Sequence, residues 1–184
     1  MRPSASKRVC VFCGSRSGEG RAYAQIAADA ARYIAACGFG IVYGGGRVGL
    51  MGFVADAALA HGAEVIGVIP RALAEREVAH DGLTKLHVVE TMHERKALMA
   101  DLSTAFVALP GGYGTLDEFC EIVTWAQLGI HDSPIGILNA EGYFDELLAM
   151  FDKGVREGFI SPANRAIVRS SSKIEDLLVQ MGLV

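Results

Sequence analysis

Two short segments of this chain combine side chains and backbone suited to chemistry. The stretch "FVALPGGYGTLDEF", residues 106–119, leaves an apolar run, places Pro110 and three glycines within five residues, and sets Glu118 one turn further on. The apolar run reads as a short buried strand and residues 116–125 as an amphipathic helix, so the glycines fall in a strand-to-helix turn. Such a turn allows close backbone approach and aims N–H groups outward, which suits an anion. A carboxylate is an odd neighbour for an anion site, and Glu118 fits two readings. Thr115-x-x-Glu118 matches a capping box, in which each side chain satisfies a backbone N–H at the helix start; alternatively, Glu118 acts on a bound molecule. In the second segment, "TMHERKALMADL" (91–102), Met92, Met99 and Leu102 recur at helical spacing as a core-facing stripe, with Arg95 on the same face. An arginine there either snorkels or holds a phosphate or carboxylate bidentately, and Lys96 adds a second positive charge. Thr91-x-x-Glu94 reads as a capping box. The glycine turn directly before Glu118, together with Arg95 and Lys96, favours a functional Glu118.

Two further glycine turns occur, "CGSRSGEG" (13–20) and "YGGGRVGLMG" (43–52). Gly44-x-Gly46-x-x-Gly49 has the form of a dinucleotide fingerprint, but it follows the second strand, and the next strand ends in "VIPR" with no acidic residue for a ribose. A nucleoside-triphosphate P-loop motif is absent. Three such turns at one sheet edge favour a phosphate or nucleotide pocket over three mere corners. His93 and His131 have no partner at ligand spacing, so no metal site is expected. Cys10-x-x-Cys13 lies in an apolar strand, "RVCVFCGS", where residues three apart face opposite ways, and no second pair completes a zinc site. Burial is the expectation for both thiols.

Strands and helices alternate along the chain. Strands are expected at 9–13, 40–43, 64–69, 85–89, 105–109 and 134–139, and helices at 21–37, 50–61, 92–102, 116–128, 143–156 and 174–181. No linker, repeat or low-complexity tract interrupts the series. Continuously apolar strands in alternation with helices imply an α/β fold, a Rossmann-like doubly wound parallel sheet with helices on both faces. Ligands in such sheets bind beyond the carboxyl ends of the strands, where the glycine turns fall. The 184 residues fit a single nucleotide-binding domain spanning 1–184.

Composition narrows the class. The hydrophobic share is 51%, enough for a sizeable core, and the formal charge of −4 is too acidic for a general nucleic-acid binder. No run of about 18 apolar residues is present to span a bilayer. The basic start "MRPSASKRVC" has no apolar stretch and cleavage site behind it. The expectation is a soluble, cytoplasmic protein without nucleic-acid or membrane partners.

"MHERK", "ALPGGYGTLDE" and "TWAQLGIH" together resemble the Lonely Guy family, the cytokinin riboside 5′-monophosphate phosphoribohydrolases, whose hallmark pairs Arg-Lys with P-G-G-x-G-T-x-x-E. The resemblance runs from "CVFCGS" through "YGGGRVGLMG" and "VIGVIP" to "GYFDELLAMFDKGVREGFI". It implies hydrolysis of the N-glycosidic bond in an N6-modified adenosine 5′-monophosphate, or in AMP itself, giving free base and ribose 5-phosphate. It implies no cofactor and at least a homodimer with sites near the interface. By match to the motif, Arg95 and Glu118 are catalytic. Lys96, Gly111, Gly112, Tyr113, Gly114, Thr115 and Thr124 contact substrate, with Ser15, Gly45 and Gly46 from the other two turns. Glu77, in the connection "RALAEREVAHDGL", resembles a further substrate contact.

Two other readings compete with this one. The family has been described as lysine decarboxylases, which would call for pyridoxal phosphate on a Schiff-base lysine. Only Lys96 is near the candidate pocket, and no Asp or Arg is recognisably placed for the pyridine nitrogen. A nucleotide sensor or carrier on the same fold is the other, since fold does not fix function. The presence of both Arg95 and Glu118 favours the enzyme, because a pure binder gains little from a carboxylate beside a phosphate.

Overall fold

The structure, a computed structural model, describes residues 7–74 and 78–184. In chain order the elements are β1 (Arg8–Phe12), α1 (Ala22–Ala36), β2 (Gly40–Tyr43), α2 (Gly49–Ala60), β3 (Val65–Pro70), α3 (Arg71–Ala74), β4 (Lys85–Val89) and α4 (Met92–Asp101). They continue as β5 (Ala105–Ala108), α5 (Tyr113–Gln127), β6 (Ile135–Leu138), α6 (Asp145–Arg156), α7 (Pro162–Arg165), β7 (Val168–Ser171) and α8 (Ile174–Gln180). The strands form one parallel sheet in the order β4-β3-β2-β1-β5-β6-β7. The chain first winds outward from β1 to β4, then returns to the other side of β1 and winds outward again to β7. Right-handed crossovers put α1 and α2 on one face of the sheet and α5 and α6 on the other.

Two apolar layers result. One packs α1, α2 and α8 against Val9, Val11, Ile41 and Val107 of the sheet. The other packs α4, α5 and α6 against Cys10, Phe12, Val42 and Phe106. With both faces covered, the central strands β2, β3, β5 and β6 are buried at every position, which is why their sequences are apolar runs without alternation. Cys10 and Cys13 fall in different layers, as their three-residue spacing along an extended segment requires, and neither forms a disulfide. Among the described residues no helix is long and apolar enough to cross a membrane.

Several expectations need correction. The short edge strand β7, "VRSS", and the single-turn helices α3 and α7 were not anticipated. An edge strand with one buried residue lacks an apolar run, and one turn is too short to show a helical period. Helix α5 begins at Tyr113 rather than 116, with Gly112 in extended conformation as its N-cap. The helix expected from 143 starts at Asp145, after a tight 3₁₀ turn at Ala140–Gly142. Met92, placed in the core-facing stripe, is 41% exposed, because it opens α4 beyond the strand ends, whereas Arg95 and Met99 are buried.

Candidate active site

All three glycine turns meet at the carboxyl ends of β1, β2 and β5, on the point where strand order reverses. They enclose a cavity of about 470 Å³ lined by residues 13–18, Gly44 and 110–115, with Arg95, Glu118, Tyr23 and Tyr143 among the side chains. That volume is in the range of small-molecule sites. The turns touch through backbone: the Gly14 N–H donates to the Pro110 carbonyl at 3.0 Å, and the Leu50 N–H donates to the Gly14 carbonyl at 3.0 Å. A methyl group on Gly111 would run into the Thr115 hydroxyl and into Gly14, so only glycine permits this approach.

The rim on the β5 side is the N-terminus of α5. No side chain caps it, and Thr115, buried, is the third residue of the helix rather than its cap. The capping-box reading of Thr115 and Glu118 therefore fails, whereas Thr91 and Glu94 do form one at the start of α4. The first-turn N–H groups of α5 face an open cavity, with the positive end of the helix dipole behind them.

The floor carries Arg95 and Glu118. Helix side chains lean toward their N-terminus, so Arg95 on α4 reaches back over the strand ends. Its Nε donates to the Val68 carbonyl and its Nη2 to the Gly44 carbonyl, each at 3.1 Å. Nη1 lies 3.6 Å from Oε1 of Glu118 on α5, and the side chains are 7% and 10% exposed. The guanidinium is thus held by two carbonyls and faces a carboxylate, as a planar fork of donors can be. Behind Glu118, burial and the neighbouring carboxylate push the Cys10 thiol well above its usual range.

Of the other expected contacts, Ser15, Gly111, Gly112, Tyr113, Gly114 and Thr115 line the cavity. Gly45 and Gly46 stand behind Gly44, outside the lining; Gly46 pairs with Ala79 in an isolated antiparallel bridge. Lys96 turns to the outer side of α4, where Nζ lies 3.2 Å from Asp117 and 3.1 Å from Glu121. Burial opposes its charge, but these carboxylates outweigh burial and hold its pKa above the usual lysine value. It borders a small crevice shared with Glu118 rather than the main cavity. Thr124 donates its hydroxyl to the Cys120 carbonyl one turn back and is likewise outside the lining. Glu77 lies outside the described residues.

Sequence reasoning missed Gly44 as a lining residue in its own right, and Tyr23 and Tyr143. Gly44 stands out in sequence only as the first glycine of a fingerprint, and nothing local marks Tyr23 or Tyr143, which join the site through contacts far apart in the chain. A second, shallower cleft of about 480 Å³ at the opposite sheet edge surrounds His131. The His131 ring is occupied by the Ile122 carbonyl and the Ser133 N–H, a structural arrangement. Among the described residues no group of three or more His, Cys, Asp or Glu is placed to hold a metal ion.

The sequence model of one family, described as "Possible lysine decarboxylase", matches residues 51–181. Cytokinin riboside 5′-monophosphate phosphoribohydrolase LOG3 of Arabidopsis thaliana is 47% identical over 181 residues, 98% of this chain and 84% of that protein. The chain belongs to the Lonely Guy family. A second Arabidopsis thaliana member, cytokinin riboside 5′-monophosphate phosphoribohydrolase LOG1, is 48% identical over 97% of this chain and 84% of its own length. Among solved structures, the Moco carrier protein of Chlamydomonas reinhardtii superposes with a TM-score of 0.68 over 92% of this chain and 91% of that one. At 18% identity that likeness shows a shared Rossmann-like fold and nothing more. The two halves of the Lonely Guy motif, carried here on α4 and on the turn into α5, meet across the 3.6 Å between Arg95 and Glu118.

Proposed function

We propose that this chain hydrolyses the N-glycosidic bond of N6-modified adenosine 5′-monophosphates, the cytokinin riboside monophosphates, and of AMP, to free base and ribose 5-phosphate. The observation that carries this is the buried Arg95–Glu118 pair, 3.6 Å apart on the floor of a cavity whose rim is an uncapped helix N-terminus. A 5′-phosphate on the N–H groups of Gly112–Thr115, bordered by Ser15, lays the ribose toward Glu118. As the C1′–N9 bond breaks, its electron pair leaves with the base and positive charge builds on the sugar. The Glu118 carboxylate stabilises that charge and takes a proton from the attacking water, whose oxygen bonds to C1′. The fixed Arg95 guanidinium offsets negative charge on the departing base, which takes up a proton from water, while Glu118 returns the proton it took to solvent and is restored as a carboxylate. The same proposal has residues 1–184 act as one nucleotide-binding domain, in the cytoplasm, as a homodimer.

Incubation with AMP and with N6-isopentenyl-AMP, followed by chromatography, is expected to show free base accumulating over many turnovers. A chelator is expected to leave the rate unchanged, because Arg95 supplies the positive charge that a metal would otherwise bring. Activity lost with chelator and restored by a divalent ion contradicts this mechanism, and stoichiometric binding without release of base points to a carrier.

Gly44 offers a finer test of the floor. A methyl group there would collide with Nη2 of Arg95 and crowd the Met51 sulfur. Gly44→Ala is expected to keep its fold but lose about tenfold or more in turnover, since small displacements of a positioned group are costly. An unchanged rate means that the exact seat of Arg95 is immaterial.

A further inference from the structure

The peptide between Gly111 and Gly112 is the weak point of the anion-binding turn. Neither flanking residue has a Cβ, so this plane can rotate with less steric resistance than any other peptide of the rim. The planes on either side are tied by backbone: the Pro110 carbonyl accepts from the Gly14 N–H at 3.0 Å, and the Gly112 carbonyl accepts from the Leu116 N–H at 3.1 Å. The Gly111 carbonyl is held instead by a side chain, accepting from the Tyr143 hydroxyl at 2.6 Å.

Tyr143 is itself firmly placed. It closes the tight turn at Ala140–Gly142 with its N–H on the Ala140 carbonyl at 3.1 Å. Its ring meets Phe144 edge to face at 4.9 Å and Tyr23 at 5.7 Å. Phe144 is buried, and its N–H donates to the Asn139 side chain at 2.8 Å. Tyr23 in turn packs beneath Gly18 of the first turn. An aromatic pair therefore ties the loop after β1 to the turn after β5.

In a trans peptide the C=O and N–H point in opposite directions. A carbonyl drawn toward Tyr143 sends the Gly112 N–H the other way, and a hydrogen bond accepted at the oxygen strengthens the donor on the same plane. We infer that Tyr143 is a positioning residue for phosphate recognition: by holding the Gly111 carbonyl it fixes the Gly112 N–H as a donor to the 5′-phosphate. The inference rests on the phosphate site of the proposed function. It gives Tyr143 no contact with the reacting bond.

Tyr143→Phe keeps the ring and its packing and removes only the hydroxyl. The ratio of kcat/KM for the monophosphate to that for the riboside is expected to fall roughly three- to tenfold, the worth of one hydrogen bond. KM for the monophosphate and the inhibition constant of inorganic phosphate rise together. In an amide NMR titration with inorganic phosphate, the Gly112 resonance of the variant shifts less than in the wild type. A proportional fall on both substrates makes Tyr143 a general support and overturns the inference, as does an unchanged ratio with an unchanged Gly112 shift. A wild type indifferent to the phosphate overturns the proposed function and the inference with it. A wild type that discriminates, beside a Tyr143→Phe variant that discriminates equally, overturns the inference alone.

Discussion

Glu118→Gln turns over at least about 10²-fold more slowly than the wild type, the scale of removing one group that stabilises transition-state charge. The substitution preserves shape and hydrogen-bonding reach while deleting the charge. Were Glu118 a helix cap, glutamine would replace it with little loss. The structure removes that escape, because α5 starts at Tyr113 and Glu118 lies inside the helix, turned to Arg95. Steady-state rates, with circular dichroism to establish that the variant is folded, check the expectation. A folded Gln variant at near-normal rate would remove Glu118 from the mechanism.

The unphosphorylated riboside is expected to be cleaved on the order of 10²- to 10³-fold less efficiently than its 5′-monophosphate, the cost of leaving two or three charge-assisted hydrogen bonds unmade. The α5 N-terminus has no side-chain cap, so its N–H groups are donors without a fixed acceptor at a cavity wall. A bare 5′-hydroxyl cannot engage them or the helix dipole. Because the phosphate sits away from the bond being cut, its binding energy positions the sugar against Glu118, and the loss appears in kcat as well as in KM. Inorganic phosphate and ribose 5-phosphate are expected to compete for the same donors. Equal rates for the two substrates, insensitive to added phosphate, would make the glycine turn only a corner.

The central sheet was legible because burial on both faces forces apolar runs, and β2 falls where the pattern put it. The edge strand β7 was not, since it faces too little core to impose a pattern. The start of α5 was misplaced by three residues because glycines, with weak helical preference, opened a helix whose position the cavity dictates. Among site residues, the motif announced Arg95, Glu118 and the 111–115 turn. Gly44 and Tyr143 could not be found that way. Gly44 meets Arg95 across 51 positions of sequence, and Tyr143 meets Gly111 across 32. Lys96 shows the converse: adjacency to Arg95 in sequence turned it toward Asp117 and Glu121, around the helix from its neighbour.

The seat of Arg95 also orders events as the chain leaves the ribosome. Val68, Gly44 and α4 all belong to the first half of the winding, so the cradle of the guanidinium can assemble before β5 has been synthesised. Glu118 arrives only with α5, after the chain has crossed back to the other side of β1. Until then the contact between Arg95 and Glu118 is unmade. The closing of that charge pair favours docking of the second half onto the first, so the groups proposed to cut the glycosidic bond also bias the nascent half-sheet against standing alone.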